Sequence, residues 1–106
     1  MKQSVIVICL LAVTTCAAAS DEVSIARGKE LFSSPQLGTN GQSCILCHRD
    51  GDGLATASLS DDTNLGMLIN RCIEYSLDGA PLDGNSGELK SLILYIRSLM
   101  PFARSK

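Results

Sequence analysis

Five consecutive residues, Cys44-Ile45-Leu46-Cys47-His48, constrain this chain more than any other stretch. Two thiols three positions apart, followed at once by an imidazole, gather three strong ligands within one short segment. His48 is the only histidine among the 106 residues. Three chemistries use such a cluster. Two cysteines at this spacing can each add to one vinyl group of haem while the adjacent histidine reaches the iron, which is why C-x-x-C-H reads as c-type haem attachment. Cys44, Cys47, His48 and Cys72 together have the ligand count of a tetrahedral zinc site, but neighbouring Cys47 and His48 have difficulty serving one tetrahedron. A thioredoxin-type dithiol wants a βαβ setting, and no stretch carries a convincing strand pattern.

The start of the chain supports the first option. Lys2, the apolar run Val5-Ile6-Val7-Ile8-Cys9-Leu10-Leu11-Ala12-Val13 and the small residues Ala17-Ala18-Ala19-Ser20 read as a secretory signal with its cleavage site. The apolar run is short for a membrane span of ~20 residues, so no stable anchor is expected. The expected division is a signal peptide over residues 1–20 and a single domain over 21–106. Export suits haem attachment outside the cytoplasm, in the periplasm or an equivalent compartment.

A mature domain of about 86 residues buries a core that is only marginally stabilising, and domains of that size recruit a disulfide, a metal or a cofactor. Aromatic residues are few, Phe32, Tyr75, Tyr95 and Phe102, with no tryptophan. A large buried prosthetic group would supply the missing apolar bulk. Loss of Lys2 with the signal leaves eight basic residues against eleven acidic ones, a balance that argues against nucleic acid as a partner. Cys9 and Cys16 also leave with the signal, so three cysteines remain. If Cys44 and Cys47 are thioethers, Cys72 stands alone in an oxidising compartment and is buried, paired between chains, or a ligand.

The periodicity predicts an all-α domain with about three main helices. The first spans about Glu22 to Phe32, capped by Ser20 or Asp21. The second spans about Asn64 to Leu77, after the capping candidates Asp61, Asp62 and Thr63, and stops before Asp78-Gly79-Ala80-Pro81. The third spans about Gly87 to Met100, with Ser86 as N-cap and Pro101 beyond its end. Its residues Leu89, Leu92, Ile93, Ile96 and Met100 share one face. Segments 33–43 and 49–62 read as loops. Asp50-Gly51-Asp52-Gly53 lacks the remaining ligands of a calcium loop and reads as a turn. Ser58, Ser60, Asp61 and Asp62 have no basic partner in a catalytic arrangement.

Gly28 with Phe32, and Leu92 with Tyr95, flank the Cys44–His48 motif in the order that class I cytochromes c use to cross their first and last helices. The chain resembles that family over essentially its whole mature length. The resemblance implies a class I cytochrome c fold around one covalent haem c, with Cys44, Cys47 and His48 as its attachment residues.

The second iron ligand is less directly legible. Leu65, Leu68, Ile69, Cys72 and Ile73 form one apolar stripe at 3.6 residues per turn, and Met67 falls on the opposite side. If that stripe faces the haem, Cys72 faces it, although a free cysteine is as readily a small buried hydrophobe. Met100 reads as core packing. The stretch Asn70-Arg71-Cys72-Ile73-Glu74-Tyr75-Ser76-Leu77-Asp78-Gly79-Ala80-Pro81-Leu82, continuing to Tyr95, is similar to the haem domains of thiosulfate dehydrogenases and the SoxA sulfur-oxidation cytochrome. In size the chain is similar to the His/Cys-ligated NaxLS-type cytochromes. In these families the matching cysteine is the axial thiolate, so the resemblance implies metal ligation by His48 and Cys72. Arg71 lies ~100° around the helix from Cys72, on the rim or in solvent.

The expected function is electron transfer or binding of nitric oxide or carbon monoxide at a low-potential His/Cys haem. Whether such a chain is an enzyme stays open, one haem and little remaining surface for a substrate pocket favouring a non-enzymatic role for the isolated chain. Its partner would be a redox protein, with a second small c-type cytochrome as a candidate. The alternatives are a haem subunit of a sulfur-oxidising enzyme with Cys72 at its active site, and an ordinary His/Met carrier using Met67.

Overall fold

The computed structural model describes residues 22–100. The expected signal peptide over residues 1–20, the capping candidates Ser20 and Asp21, and Pro101 and Phe102 lie outside the described residues. The architecture is all-α, with α1 (Ile25–Ser33), α2 (Cys44–Cys47), α3 (Asp62–Ser76) and α4 (Gly87–Ser98), and no strand among the described residues. The three longer helices are those expected from periodicity, and the additional one is a single turn formed by the C-x-x-C segment itself. None of the described helices is long and apolar enough to cross a membrane.

Helix α1 begins later than expected, and a serine on a distant helix gives the reason. The hydroxyl of Ser91, fully buried in α4, donates to the Glu22 carbonyl at 3.2 Å and accepts from the Ser24 amide at 3.1 Å. These bonds hold residues 22–24 outside the helix. Ser24 is then the N-cap, its hydroxyl accepting from the Arg27 amide at 3.0 Å. At α3 the cap is Asp61, which accepts from the Asn64 amide at 2.8 Å, so the helix starts two residues before the expected Asn64. Ser86 caps α4 as expected, accepting from Leu89.

Helices α1 and α4 cross in close contact. A Cβ built on Gly28 would lie 2.0 Å from the Ser91 carbonyl oxygen and 2.7 Å from Tyr95 Cβ, so only glycine fits. One turn on, the rings of Phe32 and Tyr95 meet edge to face with centroids 5.2 Å apart. The core continues through Leu65, Ile69 and Ile73 of α3 and Leu89, Leu92, Ile93 and Ile96 of α4. Each such aliphatic side chain contributes about 2 kcal/mol on burial. Met100, on the expected α4 face, packs partly buried against this core.

The loops are held by polar side chains. Asn70 is half-buried and bonds both backbone groups of Leu82, accepting from its amide at 2.7 Å and donating to its carbonyl at 2.8 Å. Thr39 and Asn40 bond the carbonyls of Asp78, Leu77 and Ser76 at the end of α3. Arg97 binds the Ser58 and Ser60 carbonyls and the Asp62 carboxylate, 2.6 Å away. Asp62 therefore does have a basic partner, but the pair ties a loop to α4 and is not a catalytic arrangement.

We expect Gly28→Ala to lower stability by about 3 kcal/mol in urea unfolding, because the added methyl overpacks a backbone contact. Gly84, where an added methyl would meet nothing within 4 Å, is the control; Gly84→Ala should change stability by less than about 0.5 kcal/mol.

Candidate functional site

Helix α2 is one turn long, which is enough to organise the motif. Cys44 and Cys47, three residues apart, share one side of that turn. His48 closes it, its amide donating to the Cys44 carbonyl at 3.0 Å. The chain then reverses through positive-φ backbone at Asp50 (55°), Gly51 (82°) and Gly53 (81°). That reversal brings the Asp52 carbonyl to 2.7 Å from His48 Nδ1. A carbonyl only accepts, so Nδ1 carries the proton, and in the neutral ring Nε2 then keeps its lone pair. Tying one imidazole nitrogen to a backbone carbonyl is how a protein fixes the tautomer and orientation of a ligating histidine. The Asp50–Gly53 turn therefore orients His48.

The half-buried His48 lines a cleft of about 260 Å³. Its walls are apolar: Phe32 from α1, Leu54 from the following loop, Leu65 and Ile69 from α3, and Leu92 and Ile96 from α4. Cys44, Cys72 and Arg71 also line it. A smaller cavity of about 50 Å³ adjoins these residues and is lined by Cys44, Cys47, His48 and Cys72 together. All four candidate residues thus meet around one region. Met67 does not: it is 61% exposed and lines grooves elsewhere on α3.

The three thiols differ in setting. Cys44 is half-buried, whereas Cys47 and Cys72 are exposed. Burial, with a smaller push from the nearby Cys72 sulfur, raises the Cys44 thiol from 9.0 to about 11. The exposure of Cys72 departs from the small buried hydrophobe that its apolar stripe allows.

The competing chemistries find less in this geometry. Among the described residues no three histidine, cysteine, aspartate or glutamate side chains converge to hold a bare metal ion, so the four candidates are not arranged as a zinc tetrahedron. The βαβ setting of a thioredoxin-type dithiol is likewise missing from the described residues. A planar apolar group bearing its own metal fits better, since it needs apolar walls, thiols on one turn and an imidazole with Nε2 free. Comparison with described protein families, with curated proteins and with solved structures gives no match for this chain.

Two parts of the site were not legible in the sequence. The Asp52 carbonyl is a backbone acceptor, and its only trace is the pair of glycines around it. Arg71 lines the cleft beside Cys72, where helical geometry alone left it equally in solvent.

With its pKa near 11, Cys44 in the folded haem-free chain holds about a hundredfold less thiolate at pH 8 than a thiol at 9.0. Alkylation followed by peptide mass spectrometry should therefore find Cys44 labelled last at pH 8. The lag should shrink as pH rises toward 11 and vanish in denaturant.

Proposed function

We propose that this chain is an exported monohaem c-type cytochrome of the class I fold, with haem held covalently by Cys44 and Cys47 and its iron held by His48 and Cys72. The observation that carries the proposal is the apolar cleft shared by Cys44, His48 and Cys72, in which His48 is locked through Nδ1 to the Asp52 carbonyl. When bound, haem supplies one-electron redox chemistry and an affinity for diatomic gases.

In this proposal each residue has a separate task. Cys44 and Cys47 anchor the macrocycle from one helical turn. His48 presents Nε2, its ring oriented by the Nδ1–Asp52 bond. Cys72 supplies a thiolate, which pushes electron density toward iron and favours a low potential, where a methionine thioether would raise it. Phe32, Leu65, Leu92 and Ile96 keep water from one side of the group. The role is electron transfer or gas binding, with a redox protein as partner, in the periplasm or an equivalent compartment.

The exposure of Cys72 favours one second reading. An accessible thiol beside the cleft suits attack on a sulfur compound, as in a haem subunit of a sulfur-oxidising enzyme. The His/Met alternative draws no such support, because Met67 lies on another flank of α3.

The test is the optical and electron paramagnetic resonance spectrum of the ferric holoprotein beside Cys72→Ala. We expect covalently retained haem and a low-spin thiolate signature that the substitution abolishes. A far-red methionine–iron band that persists in Cys72→Ala would instead make the protein a His/Met carrier. Thiosulfate-dependent reduction by the purified chain would favour the enzymatic reading, and we expect none.

A further inference from the structure

Arg71 is the one guanidinium on the wall of an otherwise apolar cleft. Its neighbours there are hydrocarbon, two thiols and the half-buried imidazole. Among the described residues it has no carboxylate partner: the single ion pair there is Arg97 with Asp62. Glu74, one turn along α3, shares an outer groove with Arg71 but does not pair with it. The two arginines therefore differ in kind. Arg97 is fully engaged in holding a loop, while Arg71 lines the cleft, exposed, and makes no ion pair among the described residues.

Haem carries two carboxylates as well as its apolar ring. Carboxylates entering an apolar cleft are costly unless a cation meets them. A guanidinium is the group best shaped to do so, through two parallel hydrogen bonds. We propose that Arg71 binds a haem propionate at the mouth of the cleft and so fixes the in-plane orientation of the macrocycle. The proposal rests on the haem reading above. It gives two consecutive residues of α3 distinct tasks, Cys72 toward the iron and Arg71 toward the periphery. Because Arg71 is exposed, solvent screens the interaction and keeps it modest.

The experiment uses the mature chain carrying Cys44→Ala and Cys47→Ala, in which haem is held without thioethers. It is titrated with haem and with haem dimethyl ester, whose carboxylates are blocked. Arg71→Gln should weaken haem binding roughly three- to tenfold and leave binding of the ester unchanged. Equal weakening for both ligands, or for neither, overturns the assignment. Should the double-alanine chain not fold, the covalent holoprotein supplies a second readout. Removing a positive charge beside the haem disfavours the added electron, so the midpoint potential of Arg71→Gln should fall, with Arg71→Lys recovering most of the difference. An unchanged potential overturns the proposal. Failure of the haem reading itself looks different: the unsubstituted chain then acquires no haem in cells that attach it, and both proposals fall together.

Discussion

The approach of α1 to α4 at Gly28 is the contact on which the rest of the molecule depends. With no side chain at that position, the two backbones meet close to the Ser91 carbonyl. At that distance the Ser91 hydroxyl reaches the segment entering α1, and Phe32 stacks edge-on against Tyr95. The same crossing sets Phe32 beside Leu92 and Ile96, and these three form one wall of the cleft. A larger residue at position 28 would therefore disturb the site as well as the core, although Gly28 touches no candidate ligand.

The helices and their buried faces were legible in the sequence because those features are local and periodic. Leu89, Leu92, Ile93 and Ile96 are buried as their spacing requires, and Ser86 caps the helix it precedes. The error at the start of α1 has a non-local cause. Ser20, Asp21 and Ser24 are all acceptable caps by type, and the choice is made by Ser91, sixty-seven residues beyond Ser24. Arg97, Thr39 and Asn40 escaped for the same reason, since each bonds a carbonyl on a distant segment. Nothing in residue type distinguishes a polar side chain that meets water from one that meets a remote carbonyl.

The site divides along the same line. Cys44, Cys47, His48 and Cys72 could be named from spacing, from the helical stripe and from family resemblance, and the fold gathers all four around one region. What orients them was hidden. The ring of His48 is set by a carbonyl, and the carbonyl is set by positive φ at Asp50, Gly51 and Gly53. Asp50 shows why: its φ of 55° is uncommon for a side-chain-bearing residue, and aspartate tolerates it better than most.

The anchoring of α3 bears on what a His/Cys haem here would do. The helix is held at its start by Asp62 to Arg97, in its middle by Asn70 to Leu82, and at its end by Thr39 and Asn40. Cys72 lies between the second and third of these, so its backbone is restrained on both sides. His48 is restrained as firmly through Asp52. Two ligands on such mounts favour a coordination sphere that changes little when an electron arrives, which suits electron transfer. Gas binding would need one ligand to leave. With the backbone fixed, the cheapest route would be a rotation of the Cys72 side chain, which no hydrogen bond among the described residues holds in the way the Asp52 carbonyl holds His48. His48, tied through Nδ1 to the Asp52 carbonyl, has no comparable freedom. In the proposed cytochrome Cys72 would therefore be the exchangeable ligand and His48 the permanent one.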